Sequence, residues 1–293
     1  CVERGLTMMA AAQRSPGTSF LKRMANGSRA RAQEARRREP EGALLRRALA
    51  APAPPELKLA PFSVIAELKY RSPAAGSLAG GDFDGAAQIR AYAAGGAAAV
   101  SVLTEPEEFH GSLDDLRQAA GPLAVHEIPA MRKDFLTDPY QVLEARAAGA
   151  GGVLVIVTML SDAEVGELIA CAAQCGLFVL LEGFDEADLD RIGGIAAPAD
   201  HSPPLLCGVN CRDLRDLEVN RDRFRQLAPY LPTHLPAVAE SGMEGVDDIA
   251  VVASLGYRVA LVGTALMRSD DAARELAAMT AAGAQALGSG PCS

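Results

Sequence analysis

The sequence predicts a (β/α)8 TIM barrel preceded by an N-terminal helical extension, and three observations carry that prediction. Its 293 residues suit a single α/β barrel, which takes about 250 residues before extensions are added. The chain is 49% hydrophobic but only 4% aromatic, so its core is built of Ala, Val, Leu and Ile. That composition matches a parallel sheet buried on both faces under Ala-rich helices. From residue 61 onward, a short apolar run, a polar or Gly-containing loop and an amphipathic Ala-rich segment repeat eight times. This rhythm fits a closed barrel better than an open doubly wound sheet.

In chain order, residues 1–60 read as an extension that packs on the barrel, and 61–293 as the barrel itself. The extension shows helical patterns over 18–38 and 40–50, then the Pro-rich stretch APAPPELKLAP at 51–61, which marks a linker. Strands are expected at 63–68, 97–103, 128–132, 152–157, 178–182, 205–209, 237–240 and 258–262. The helices that follow them are expected at 84–95, 112–120, 138–148, 161–175, 185–192, 221–229, 244–255 and 270–286. No G-x-G-x-x-G follows the first strand, which removes the main sign of a dinucleotide-binding sheet.

Charge and cysteine usage exclude several classes of function. The net charge is −9, yet residues 1–50 carry 11 basic residues against 4 acidic ones. An acidic barrel body argues against nucleic acid as a partner, since phosphate backbones need a broad basic face. The stretch RARAQEARRR at 29–38 reads as the solvated face of a helix rather than a transit peptide, because such peptides usually lack acids. The apolar run GGVLVIVTML at 151–160 is too short to span a membrane and reads as a buried strand. Cys171/Cys175 and Cys207/Cys211 share a C-x3-C spacing, but with only 4 histidines they read as thiols in a reducing cytosol rather than as zinc ligands.

Barrel chemistry sits at the C-terminal ends of the strands, and these ends are rich in polar residues. They carry Glu67 and Lys69, Thr104-Glu105, Arg132-Lys133-Asp134, Glu182, Asn210 with Arg212, and Glu240-Ser241-Gly242. Glu67 and Lys69, two apart on one strand, point to the same side. Any one of these charges alone reads as a solvated loop residue. Two lysines and three glutamates converging on one mouth suggest acid–base equipment, since grouped charges are costly in a low-dielectric cavity unless retained for use. Ser241-Gly242 and Gly263-Thr264 offer hydroxyls and open backbone N–H groups after strands seven and eight, where barrels commonly hold phosphate beside a short helix.

Specific words in the chain then carry a resemblance. VIAELKYRSPAAGSL (64–78), AAVSVLTEPEEFHGSLDDL (98–116), PAMRKDFLTDPYQVLEARAAGA (129–150), GVNCRDL (208–214), AESGM (239–243) and LVGTALMR (261–268) resemble, in order, the motifs of indole-3-glycerol-phosphate synthases. FLKRMANGSRAR (20–31) resembles the helix that precedes the barrel in that family. The resemblance implies a lyase of tryptophan biosynthesis, located in the cytoplasm. Its reaction would be ring closure of 1-(2-carboxyphenylamino)-1-deoxyribulose 5-phosphate with loss of carbon dioxide and water, using neither metal nor organic cofactor. It implies Lys133 as principal general acid, Lys69 as the second catalytic lysine and Glu182 as their acid–base partner. Glu67 and Glu240 would tune the lysines, while Asn210 and Ser241 would orient substrate. Arg212 and Phe135 would flank the aromatic portion, and Ser72, Gly242, Gly263 and Thr264 would cradle the phosphate.

The chain departs from the family at Gly183-Phe184, where Val-His is usual, at Thr264 and at His110, and it has no Trp. The expected partner is the phosphorylated small-molecule substrate, with no nucleic acid or membrane, in a monomer or weak homo-oligomer. Two other readings stay open at this point: a related barrel isomerase of the same pathway, and a barrel that binds a phosphorylated ligand without turnover.

Overall fold

All eight strand candidates form barrel strands in the computed structural model, which describes residues 20–68, 71–72 and 76–77 (backbone only), 84–195, 203–212 and 218–288. The strands are β1 (Ser63–Leu68), β2 (Ala99–Leu103), β3 (Ala130–Lys133), β4 (Gly152–Ile156), β5 (Phe178–Gly183), β6 (Leu205–Asn210), β7 (Ala237–Glu240) and β8 (Val259–Val262). They pair in parallel in sequence order, and β8 closes on β1. A closed sheet has no unpaired edge. The third strand starts two residues later and ends one later than the sequence pattern indicates, so that Lys133 is its last residue. Residues 71–72 and 76–77 form a separate antiparallel ladder in which Ser72 faces Gly76.

Alternation divides the strand residues between two cores. Ile65, Ala99, Met131, Leu154, Phe178, Leu180, Leu206, Val238 and Leu261 fill the barrel interior. Val64, Val100, Val153, Val179, Cys207 and Ala260 face the surrounding helices. The helices are α1 (Phe20–Arg38), α2 (Glu41–Ala50), α3 (Gly85–Ala94), α4 (Leu113–Val125), α5 (Pro139–Ala147), α6 (Asp162–Gln174), α7 (Glu186–Gly193), α8 (Asp222–Leu227), α9 (Val246–Ser254), α10 (Thr264–Arg268) and α11 (Ala272–Gly288). Helices α3 to α7 each start on an Asp or Ser whose side chain accepts from the first-turn N–H groups: Asp84, Ser112, Asp138, Ser161 and Asp185. Such caps fix where each strand-to-helix loop ends.

Helix α4 runs through Gly121-Pro122 to Val125, beyond its expected end near residue 120. The fixed φ of proline is compatible with helix, and Leu123, fully buried, anchors the last turn. The sequence pattern marks neither the short helix α10 after β8 nor the ladder at 71–72 and 76–77.

The basic helix α1 is less solvated than its sequence suggests. Arg31 reaches both Glu105 and Asp134, Arg29 reaches Glu164, and Arg36 holds Asp138 through two bonds of 3.0 and 2.7 Å. These partners follow β2, β3 and β4, so α1 lies across the C-terminal face of the barrel. Arg37 and Arg38 remain outward and pair with Glu34. Helix α2 packs on α5, Arg146 donates to the Ala51 carbonyl, and Lys58 meets Glu127 just before β3. The linker thus passes beneath the N-terminal face, where Leu57 joins the interior core.

Candidate active site

The alternation that fills the interior also carries polar side chains inward at the strand ends. Glu67 stands two residues beyond Ile65, Lys133 beyond Met131, Glu182 beyond Leu180, Asn210 four beyond Leu206, and Glu240 two beyond Val238. The register sets these positions side by side: Ile156 faces Glu182, Asn210 faces Glu240, and Glu240 faces Leu261. All five side chains line one cavity of about 1050 Å3, which also takes in Phe135, Arg212, Ser241, Gly242, Gly263 and Thr264. Lys69 and the side chain of Ser72 lie outside the described residues.

Lys133 stands between two carboxylates. Its Nζ is 3.4 Å from Glu182 Oε2 and 3.4 Å from Glu240 Oε2, with both glutamates buried. Burial alone would lower the ammonium pKa, but Glu182, Glu240 and Glu67 outweigh it and hold Lys133 above its ordinary value. Lys133 is therefore a charged, proton-loaded group inside the cavity. For Glu240 the balance goes the other way: burial, then the neighbouring Glu182, raise its pKa well above the ordinary carboxyl value despite Lys133. Glu240 Oε1 is buried and has no hydrogen-bond partner among the described residues. Asn210 donates from Nδ2 to Glu182 Oε1 at 3.0 Å, and its own Oδ1 accepts from the Arg212 N–H at 2.9 Å. The Arg212 backbone thereby orients the amide that orients Glu182.

Polar residues at the other strand ends turn outward or serve their own loops. Arg132 bonds Thr104, Asp134, Glu144 and the Gln141 carbonyl, a buried bracket behind β3. Glu105 accepts from the N–H groups of Glu107, Glu108 and Phe109 and shapes the loop after β2. These residues build the rim rather than the interior.

In the turn after β7, Ser241 (φ 69°) and Gly242 (φ 75°) both adopt left-handed backbone, which is uncommon for serine and often marks a functional turn. Gly263 precedes the first turn of α10, and Gly263, Thr264 and Ala265 line the same cavity. The opening N–H groups of a helix have no partner within it, so this edge offers donors to an anion.

Phe135 is buried and forms one wall. Two aromatic companions that the sequence does not single out pack against it: Phe109 at 6.2 Å between ring centres, and Phe20 of α1 edge-on at 5.8 Å. Phe109 sits inside the quoted stretch EPEEFHG, but a single aromatic in a polar loop carries no periodic signal. The departure at Gly183-Phe184 also has a physical account. A Cβ on Gly183 would stand 2.8 Å from Asp188 Cβ, so α7 packs closer than a larger residue would allow. Asp188 then accepts from the Phe184 N–H and from Thr158, which ties the loops after β4 and β5 together. His110 has positive φ (55°) at an exposed loop position. Cys171, Cys175, Cys207 and Cys211 are free thiols. Among the described residues no helix is long and apolar enough to cross a membrane, and no group of three His, Cys, Asp or Glu could hold a metal ion.

Comparison with known proteins adds an independent finding. The family model for indole-3-glycerol phosphate synthase matches residues 26–279. An indole-3-glycerol phosphate synthase of Nocardioides sp. (strain ATCC BAA-499 / JS614) is 46% identical over 217 residues, covering 74% of this chain and 79% of that protein. One from Mycobacterium avium (strain 104) is 41% identical over 243 residues, covering 81% and 85%. Among solved structures, 3-hexulose-6-phosphate synthase from Salmonella typhimurium superimposes with a TM-score of 0.57 at 13% identity, covering 77% of this chain and 98% of that one. At that identity the likeness speaks for the barrel alone.

Proposed function

The chain belongs to the indole-3-glycerol phosphate synthase family, and from that membership and the geometry of its barrel mouth we propose how it closes the indole ring. The enzyme is a carboxy-lyase acting on 1-(2-carboxyphenylamino)-1-deoxyribulose 5-phosphate. The ring carbon that bears the carboxylate attacks the ribulose carbonyl carbon, and the Lys133 ammonium donates its proton to the carbonyl oxygen as negative charge develops there. Carbon dioxide then leaves, returning its bonding electrons to the ring. The new hydroxyl then leaves as water with a proton from Lys69, and the former ribulose CH2 beside the nitrogen gives a proton to Glu182, so that the electrons of that C–H bond form the double bond that completes the aromatic product. Lys69 is assigned to the substrate carboxylate and the dehydration step.

The remaining residues orient these groups. Glu67 and Glu240 hold Lys133 charged, Asn210 fixes Glu182, and Ser241 steadies the substrate between them. Phe135 and Arg212 flank the aromatic portion. Gly242, Gly263 and Thr264, with Ser72, hold the phosphate at the opposite edge. The observation that carries this reading is Lys133 Nζ at 3.4 Å from two buried carboxylates in a cavity that also takes in the turn after β7 and the start of α10. All of these residues come from one chain, which supports action as a monomer or weak homo-oligomer. The biosynthetic family and free thiols support a cytoplasmic location.

The test is turnover. Purified protein given the substrate should form an indole product visible by its fluorescence. Lys133→Met should reduce kcat by about 10²–10⁴-fold while leaving KM within a few-fold, as for a group acting mainly in the transition state. Tight substrate binding without product would favour a ligand-binding barrel, and near-parental turnover by Lys133→Met would remove the assigned acid.

A further inference from the structure

Resting on that reading of Lys133, we infer that Gly208 is a positioning residue for the reaction: its missing side chain makes the space in which the Glu240 carboxylate sits. Gly208 lies on β6 between the inward-facing Leu206 and Asn210, in register with Glu182 on one side and Val238 on the other. Its Cα therefore faces the interior directly beneath the charged cluster. A Cβ added there would stand 2.2 Å from Glu240 Oε1, 3.3 Å from Glu240 Cδ and 3.0 Å from Leu180 Cδ1. The oxygen resting over that bare Cα is the one without a hydrogen-bond partner among the described residues, and the open space at Gly208 accommodates it. The other oxygen of the same carboxylate meets Lys133 at 3.4 Å.

A methyl group at 208 would have to displace Oε1 by about 1 Å to reach ordinary contact. The carboxylate is fully enclosed and rigid about its terminal carbon, so Oε2 must move with Oε1. Its contact with Lys133 then lengthens or is lost, leaving Lys133 with Glu182 on one side and nothing fixing it on the other. Misplacing a reacting group by about 1 Å can cost on the order of 10²-fold in rate. Gly208 is not among the residues that line the cavity, so substrate binding should be little affected.

The expected result for Gly208→Ala is a kcat lowered by about 10–100-fold with KM within about threefold of the parent. Two further backgrounds separate positioning from a general packing fault. On a Glu240→Asp background the carboxylate is withdrawn by one methylene, and Gly208→Ala should cost less than about threefold in kcat. On a Leu180→Val background the leucine contact is relieved but the carboxylate contact is not, and the full loss should persist. Crystal structures of the parent and Gly208→Ala supply a readout independent of activity: the Lys133–Glu240 separation should open beyond about 4 Å, past ion-pair contact. If Gly208→Ala alone gives no folded protein, Gly208→Ala/Glu240→Asp against Glu240→Asp carries the comparison, and a loss above about threefold there overturns the inference. Turnover of Gly208→Ala within threefold of the parent, rescue by Leu180→Val instead of Glu240→Asp, or an unchanged Lys133–Glu240 pair would each overturn it as well. An inactive parent whose Lys133–Glu240 pair still opens in Gly208→Ala would refute the functional reading while leaving the positioning geometry intact.

Discussion

Lys133 and Glu240 share one cluster at the barrel mouth, and their neighbours shift them for different reasons. Lys133 is held charged by its carboxylate neighbours, while burial and Glu182 raise the Glu240 carboxyl. The raised value has a consequence for stability. A carboxyl whose folded pKa exceeds its unfolded one stabilises the fold below the unfolded pKa, and that contribution is lost as pH rises through the folded value. Near neutral pH the parent therefore carries a cost that a neutral isostere avoids. Glu240→Gln should raise Tm by roughly 1–2 °C at about pH 7–8, what ~1 kcal/mol produces in a chain of this size. The difference should shrink toward about pH 4, where the parent is itself protonated. The same change should lower kcat, a trade common at active sites; differential scanning calorimetry across pH checks the first part, and a Tm below the parent at neutral pH would refute it. At this scale the sequence was informative about which residues point inward, because strand periodicity is two. It was silent on Glu240 Oε1 lying over Gly208, since that contact joins two strands.

At the scale of elements, helix α1 acts as a clamp on the rim. Arg31 spans Glu105, after β2, and Asp134, after β3, at 3.5 and 3.4 Å, and both carboxylates are almost wholly buried. Among the described residues, removing it leaves the Glu105 carboxylate bonded by its loop N–H groups and Asp134 by Arg132, Thr104 and the Phe135 N–H. The bonds are long and Arg31 is itself partly exposed, so Arg31→Ala should cost about 1 kcal/mol rather than the full penalty of a broken buried pair. The loosened rim carries Phe109 and Phe135, so KM should rise while kcat holds. A rise in KM confined to Arg31→Ala, and absent in the outward-facing Arg37→Ala, is the expected pattern; equal KM values in both would dismiss the clamp. The strands were legible because each is a bounded apolar run, and most helices because their faces are amphipathic. Helix α10 spans five residues, too few for a periodic signal, and Gly121-Pro122 looks like a breaker until Leu123 is seen buried beyond it.

For the molecule as a whole, the uneven charge of the chain becomes intelligible. A basic N-terminal helix lies on acidic loops of the C-terminal face, and the linker returns beneath the opposite face to begin β1. The eightfold alternation made the barrel readable, and the motif words made the inward acids and bases readable. How the aromatic rim assembles from Phe20, Phe109 and Phe135, more than 100 residues apart in sequence at its extremes, emerges only once the barrel is closed. The proposed chemistry requires one cavity to hold a proton donor, an aromatic wall and a phosphate cradle at spacings a single substrate can bridge. A crystal structure with indole-3-glycerol phosphate bound is the decisive measurement. The phosphate should lie within hydrogen-bond reach of the Gly242, Gly263 and Thr264 backbone, the indole ring against Phe135, and Lys133 Nζ should face the newly formed ring. A product seated elsewhere, or with its phosphate at the Lys133 end, would contradict it.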